Sequence, residues 1–386
     1  MKDLQQALQQ RQQQGLYRRR RMLQGPQGRQ IQLDGQTLLN FSSNDYLGLS
    51  NHPAVKQAFI DAAQRYGVGS GSAHLVNGHS EVHHQLEQAL AEFSGYPRAL
   101  LFSTGYMANL AVAQSLCGRG DFIIQDKLNH ASLLDAAQLS GGRLLRYPHK
   151  DHAQLQQQLQ RANGGEILLC SDAVFSMDGD EADIPGLVSL SLQHQAWLML
   201  DDAHGFGVLG EEGRGSLSRQ QVSNADVPIY MATLGKALGT AGAFIAGSEE
   251  LIEYLIQHGR SYIYTTAMPA AVAAATLASL QLLTTEPQRR QQLAQNIAEF
   301  RQLAADRGIV LMPSDTAIQP VLVGDAERAS QLSETLFAQG FHLAAIRPPT
   351  VPANSARLRI TLRADHQQSD MRALLDALAR LLEQPR

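Results

Sequence analysis

Trp197-Leu-Met-Leu-Asp-Asp-Ala-His-Gly205 decides the fold. Its first four residues are apolar, without the polar alternation of a half-exposed strand, and this describes a strand buried on both faces. The run passes directly into two acids and a histidine. The same pattern recurs on either side. Ala99–Phe102, Phe122–Ile124, Leu144–Tyr147, Ile167–Cys170, Ile229–Thr233 and Ala243–Ala246 are short apolar runs, and Tyr106–Leu116, His130–Leu139, His152–Arg161 and Leu187–His194 carry helical spacing between them. Strands alternating with helices predict an α/β domain with a mostly parallel sheet covered by helices on both faces. Ligands of such sheets bind beyond the carboxyl ends of the strands. The polar residue that follows each run is therefore the first place to look for chemistry.

Asp201 is the first polar residue past its strand. An acid there either caps a turn or pairs with a cation, such as a protonated heterocyclic nitrogen. His204 lies three residues on and can donate to the same ligand. Lys236 follows in Tyr230-Met-Ala-Thr-Leu-Gly-Lys-Ala-Leu-Gly-Thr-Ala-Gly-Ala-Phe244. It is one of five lysines and the one charged residue between Asp226 and Glu249. A lone ammonium among apolar residues is costly to bury. Desolvation also favours the free amine that a Schiff-base lysine needs. A surface loop of small residues is the plain alternative.

Other strand ends add candidates. Leu101-Phe-Ser-Thr-Gly-Tyr106 reads as strand, turn and helix start, and backbone N–H groups at such a start hold anions. Gly105 permits close backbone approach, and Tyr106 can lie against a planar ring. His130 opens the next helix, where it either caps the helix or stacks on an aromatic cofactor. Ser176 follows the Ile167–Cys170 run, where a turn serine is equally at home. Gly67-Val-Gly-Ser-Gly-Ser-Ala-His-Leu-Val-Asn-Gly-His79 follows no strand, so it fails the dinucleotide fingerprint and reads as a flexible loop. His79, Glu81, His83 and His84 do not form His-Glu-x-x-His, and no metal site is expected. The Lys236 segment is no P-loop either: Ala237 stands where Ser or Thr is required.

The chain has 386 residues, 44% apolar and 18% charged, an ordinary globular mixture. Its net charge of −4 provides no global attraction to nucleic acid or anionic membrane. Arg18–Arg21 form a local basic run, read as a solvated helix end or a clamp for carboxylate or phosphate. The N-terminus has no apolar signal core, and Ala267–Leu283 reads as a buried helix rather than a membrane span. Cys117 and Cys170 sit in apolar surroundings as free thiols, consistent with a cytoplasmic protein. After helices around 250–305, Ala317–Val323, Ala326–Gln339, Phe341–Ile346, Arg357–Leu362 and Ser369–Glu383 read as strand, helix, strand, strand, helix. The expected division is an N-terminal arm over 1–45, a large domain over 46–285 and a small α+β domain over 286–386.

Seven segments carry a wider resemblance. They are Asn40-Phe-Ser-Ser-Asn-Asp-Tyr-Leu-Gly-Leu49, Leu101-Phe-Ser-Thr-Gly-Tyr-Met-Ala-Asn109, Asn129-His-Ala-Ser132, Val174-Phe-Ser-Met-Asp-Gly179, Asp201-Asp-Ala-His-Gly205, Thr233-Leu-Gly-Lys236 and Ile346-Arg-Pro-Pro-Thr-Val-Pro352. Over nearly its whole length the chain resembles the α-oxoamine synthases, a family of fold-type I pyridoxal-phosphate enzymes.

The resemblance implies roles by position. Lys236 would hold the cofactor as a Schiff base, Asp201 would pair with the pyridine nitrogen, and His130 would stack on the ring and meet substrate. Ser176 and His204 would face the ring oxygen, and Gly105, Tyr106 and Thr233 would complete the cofactor site. Thr265 and Thr266 would reach a neighbouring subunit's cofactor, implying a homodimer with shared active sites. Asn44 and Arg359 would hold the amino-acid carboxylate, and Arg18 and Thr350 the acyl substrate. The last segment favours the branch that joins L-alanine to a pimeloyl thioester, carried on CoA or a carrier protein. A sister that condenses glycine with a short acyl-CoA is the alternative. Ala73 and His74 depart from the glycine or arginine usual near the middle of the family's glycine loop.

Overall fold

The computed structural model describes residues 2–14 and 16–383. They form two compact units. One comprises His52–Ser176 and Glu181–Pro287; the other comprises the residues up to Asn51, Met177–Asp180 and those from Gln288 onward. The arm expected over 1–45 is thus grouped with the C-terminal residues.

The first unit is built on seven strands in the order Arg98–Phe102, Ala243–Gly247, Ile229–Thr233, Trp197–Asp201, Ile167–Asp172, Phe122–Asp126 and Arg143–Tyr147. Every apolar run singled out in the sequence lies in one of them. Ala243–Gly247 runs antiparallel to both neighbours, and the other pairings are parallel. The runs are continuous because both faces are covered. Leu198, Met199 and Leu200 are each at most 1% exposed, and burial of each such side chain contributes about 1.5–3 kcal/mol. One core gathers Leu100, Ile123, Leu168, Met199 and Ile245 from the strands. Ala111 and Val112 of the helix Gly105–Leu116, Leu133 and Ala136 of Ala131–Ser140, and Leu255 of Glu249–His258 pack into it. Cys117 and Cys170 are both free and buried there.

Between its strands the chain turns back once within the sheet, around Lys236. Thr233 pairs with Ala243. The Leu234 N–H donates to Gly242 O at 2.9 Å, and the Thr233 hydroxyl donates to the same oxygen at 3.0 Å. Residues 234–242 are therefore a short loop closed at its base.

The glycine-rich stretch has a defined shape, not the free loop expected. Ala73 forms a bridge with Thr266, and the Ala267 N–H donates to Ser72 O at 3.0 Å. The Ser70 hydroxyl donates to Met268 O at 2.6 Å. A π-helical turn spans His74–Gly78. Backbone pairing to a distant segment supplies the order that local composition does not encode.

The second unit holds two three-stranded sheets. Gln30–Leu33, Gln36–Asn40 and Phe341–His342 form one; Ile318–Gly324, Ala356–Thr361 and Ala344–Ile346 form the other. The run read as a single strand, Phe341–Ile346, is thus two strands in different sheets. Its first half pairs with Leu39 and Asn40, its second with Arg357–Arg359, and Leu343 turns into the core between them at 2% exposure. The N-terminal hairpin escaped the sequence reading although Asp34-Gly35 turns it, with φ of 49° and 81°. Asp-Gly between two strands is a strong signal for such a turn. The helix Leu4–Gln13 buries none of its residues, and Leu4 and Leu8 are exposed. Among the described residues, no helix is long and apolar enough to cross a membrane.

Candidate active site

Parallel strands end on one edge of the sheet, and their first polar residues converge there. A cavity of about 180 Å³ is lined by Gly105, Tyr106, His130, Ser176, Asp201, His204, Thr233 and Lys236 together with Ser132 and Asp172. Eight of the residues expected around a cofactor thus share one cavity. Thr265 and Thr266 do not line it; they lie half-buried and exposed in the segment that pairs with Ala73.

Asp201 closes the Trp197–Asp201 strand and is 6% exposed. Asn109 Nδ2 donates to its Oδ2 at 2.9 Å, and the Ala203 N–H donates to Oδ1 at 3.1 Å. The same Asn109 amide donates to the Ser132 hydroxyl at 2.8 Å. Ser132 Oγ lies 2.7 Å from His130 Nδ1, which also accepts the Ser132 backbone N–H at 3.3 Å. An Nδ1 that accepts carries no proton, so the neutral ring has its proton on Nε2. Burial holds the His130 pKa below its ordinary value, and Lys236 acts in the same direction against the pull of Asp201. Asn109 thus joins Asp201 to His130 through one hydroxyl.

Asp172 ends the neighbouring strand and stands in register with Asp201. Both its oxygens accept the His130 backbone N–H, at 3.3 and 3.2 Å. Burial raises its pKa well above the carboxylate range, and the adjacent Asp201 charge adds to this. Lys236 Nζ lies 2.8 Å from His204 Nε2, and the lysine is the third residue of its closed loop. Opposite, the helix Gly105–Leu116 is capped by Thr104, whose hydroxyl accepts the Met107 N–H at 3.2 Å. A Cβ on Gly105 would come 3.3 Å from Met231 Cε, so the glycine keeps this helix start open. Tyr106 donates its hydroxyl to Asp135.

The donor set has a clear complement. It offers a helix N-terminus for an anion, a buried carboxylate for a cationic ring nitrogen, an imidazole for a ring face, and a primary amine. Those are the handles of a planar phosphorylated pyridine aldehyde, and the residues present fit one. Sequence reasoning quoted Asn109 and Ser132 without giving them a role, and it passed over Asp172. The strand-end rule that found Asp201 applies equally to Asp172. Asn109 is visible only once the helix is folded, four residues past Gly105 on the face toward the sheet.

The remaining candidates lie in the other unit. Arg359 donates to Asn44 Oδ1 at 3.2 Å and to the Thr361 hydroxyl at 2.9 Å. Burial raises the Tyr46 phenol beside it to about 12. Arg18 and Thr350 both line a cavity of about 820 Å³, with Arg19, Arg20 and Arg347. Arg21 is engaged there by Glu334 at 2.7 Å and lies over the Phe337 ring.

A protein-family model described as aminotransferase class I and II matches residues 36–378. An 8-amino-7-oxononanoate synthase from Nitrosococcus oceani is 57% identical over 375 residues, 97% of this chain and 100% of that protein. Among solved structures, an 8-amino-7-oxononanoate synthase from Francisella tularensis has a TM-score of 0.78 at 32% identity, over 90% of this chain and 98% of that one. A serine palmitoyltransferase from S. paucimobilis, with a bound PLP–myriocin aldimine, has a TM-score of 0.92 at 27% identity. It spans 98% of this chain and 96% of its own.

Proposed function

The chain belongs to the class I and II aminotransferase family and, within it, to the 8-amino-7-oxononanoate synthases; from that premise we propose that it joins L-alanine to a pimeloyl thioester. The products are 8-amino-7-oxononanoate, CO2 and the free thiol, a step of biotin synthesis. The observation that carries the reading is the single cavity holding Asp201, His204, Lys236 and the Gly105 helix start.

When bound, pyridoxal phosphate supplies an aldehyde that condenses with amines and a ring that accepts electrons from the amino acid's α-carbon. Lys236 would anchor it through Nζ. Asp201, held by Asn109 and Ala203, would pair with the ring nitrogen and favour its protonated form. The N–H groups at Gly105 and Tyr106, with Thr233, take the phosphate. Ser176 and His204 would contact the ring oxygen, and His130 would stack on the ring, with its Nε2 proton available to substrate. Arg359, steadied by Asn44 and Thr361, takes the alanine carboxylate as a charge-assisted pair. Arg18 and Thr350 take the acyl donor.

The free Lys236 amine would remove the α-proton of alanine, and its 2.8 Å neighbour His204 fixes where the amine rests. The α-carbon then bonds to the thioester carbonyl carbon, and the C–S bond breaks to release the thiol. The carboxylate leaves as CO2, and Lys236 returns a proton to the same carbon. The protein works as a homodimer, with Thr265 and Thr266 serving the neighbouring copy's cofactor.

Mass analysis of the product from L-alanine and pimeloyl-CoA tests the reading, with the 8-amino-7-oxononanoate mass as the expected result. Preference for glycine and acetyl-CoA would assign the chain to the sister activity instead. Borohydride reduction should trap the cofactor on the peptide containing Lys236; trapping on another peptide would overturn the assignment of the anchor.

A further inference from the structure

Four histidines and a half-buried acid meet at the start of the helix Glu81–Ser94, outside the cavity just described. One ligand atom from each of His79, His84 and Glu87 lies within 4.8 Å of the other two, and the same holds for His74, His79 and His83. We propose that His79, His84 and Glu87 form a binding site for a divalent transition ion of the zinc class, with His74 as the residue that orients His79.

The second set is the weaker of the two because His83 has both ring nitrogens in use. Its Nδ1 accepts the Ser80 N–H at 3.0 Å, and its Nε2 bonds to Met268 O at 2.8 Å. Recruiting it would break a helix cap and a long-range tie. His79 has no such conflict. Its Nδ1 lies 2.9 Å from His74 Nδ1, which leaves Nε2 directed at Glu87 Oε2, 3.9 Å away. That separation is too long for a hydrogen bond. Two ligands on one tetrahedral ion, each about 2.0–2.2 Å from the metal, stand roughly 3 Å or a little more apart. Glu87 is held in place by the neighbouring strand. Its Oε1 accepts the Leu101 N–H at 3.0 Å, and its side chain is 13% exposed. Ligating groups are commonly held this way by an outer hydrogen bond. His84 lies one helical turn before Glu87, on the same face, and makes an exposed contact with Gln88. His79 and His84 are exposed enough to close the remaining distance. Two imidazoles and a carboxylate suit zinc, cobalt or nickel, with a water completing the shell.

An ion there would fasten the glycine-rich stretch to the helix that follows it. The middle of that stretch pairs with Thr266 through Ala73, so the ion would bear on the segment carrying Thr265 and Thr266.

The test uses tag-free, cofactor-loaded protein titrated with Co2+ alone, then with Zn2+ in competition. The expected result is one equivalent per chain, visible d–d absorption, and displacement of the cobalt by zinc. His84→Ala, at an exposed position, should weaken binding at least about 10-fold, and Glu87→Gln likewise. His258→Ala, on the distant helix Glu249–His258, should leave it unchanged. Binding that persists in both ligand variants, no stoichiometric binding at all, or equal loss in His258→Ala would each overturn the proposal.

Discussion

Asn109→Ala separates the activity of this protein from its stability. In the folded chain the Asn109 amide donates to Asp201 Oδ2 at 2.9 Å and to Ser132 Oγ at 2.8 Å, while its own Oδ1 is buried without a hydrogen-bond partner. Losing a hydrogen bond to a charged group costs about 1.5–3 kcal/mol, whereas releasing an unsatisfied buried carbonyl returns about 1–3 kcal/mol. The neutral bond to Ser132 adds about 0.5–1.5 kcal/mol to the loss, so the terms largely offset one another in the unfolding free energy, with a net cost of about 1 kcal/mol. They do not cancel in the reaction, because Asp201 and His130 both lose the group that orients them. At about 1.4 kcal/mol per tenfold, kcat/KM for alanine should fall about 10- to 150-fold. The denaturation midpoint should move little. Steady-state release of thiol, with chemical denaturation of the same preparations, measures both. A stable, folded variant with kcat/KM within about twofold of the parent would refute the orienting role. So would a loss of activity matched by an equal loss of stability.

Three further outcomes follow from the geometry. Lys236→Arg keeps a positive charge but cannot form the covalent link, since arginine stays protonated; borohydride should trap no cofactor, and turnover should be lost. Arg359→Lys gives up the simultaneous bonds to Asn44 and Thr361, so KM for alanine should rise about 10-fold or more while KM for the thioester stays put. Burial lowers His366 to about 4, from an ordinary 6.5, so the unfolded chain binds the extra proton between those values. Stability should therefore decline as pH falls from about 6.5 to 4, by up to about 3 kcal/mol, and a His366→Gln variant should show a flatter pH profile in urea titrations.

The geometry of the candidate site was legible wherever a polar residue coincides with the end of an apolar run. Asp201 and His204 follow Trp197–Leu200 directly, and Lys236 stands out because its neighbours carry no charge. Each is marked by local sequence. Asn109 is not, because its meaning depends on two partners 23 and 92 residues away, reached only after helix and strand have packed. The same reason hid the division of Phe341–Ile346. Six residues with few polar interruptions carry no sign that their halves will pair with different partners, Leu39 and Asn40 on one side and Arg357–Arg359 on the other. The Asp34-Gly35 hairpin differs, since its turn signal is local and was simply passed over. The histidines of 74–84 were individually visible, but the fold alone brings them face to face with Glu87.

The loop at Lys236 is closed at its base by Thr233, Leu234 and Gly242. Nine residues thus separate two strands that are already joined, and loop closure of that length leaves the amine little freedom to wander. This makes 234–242 the poorest place in the chain to cut or lengthen. New termini or an inserted tag there would uncouple the Lys236 amine from the sheet that positions it.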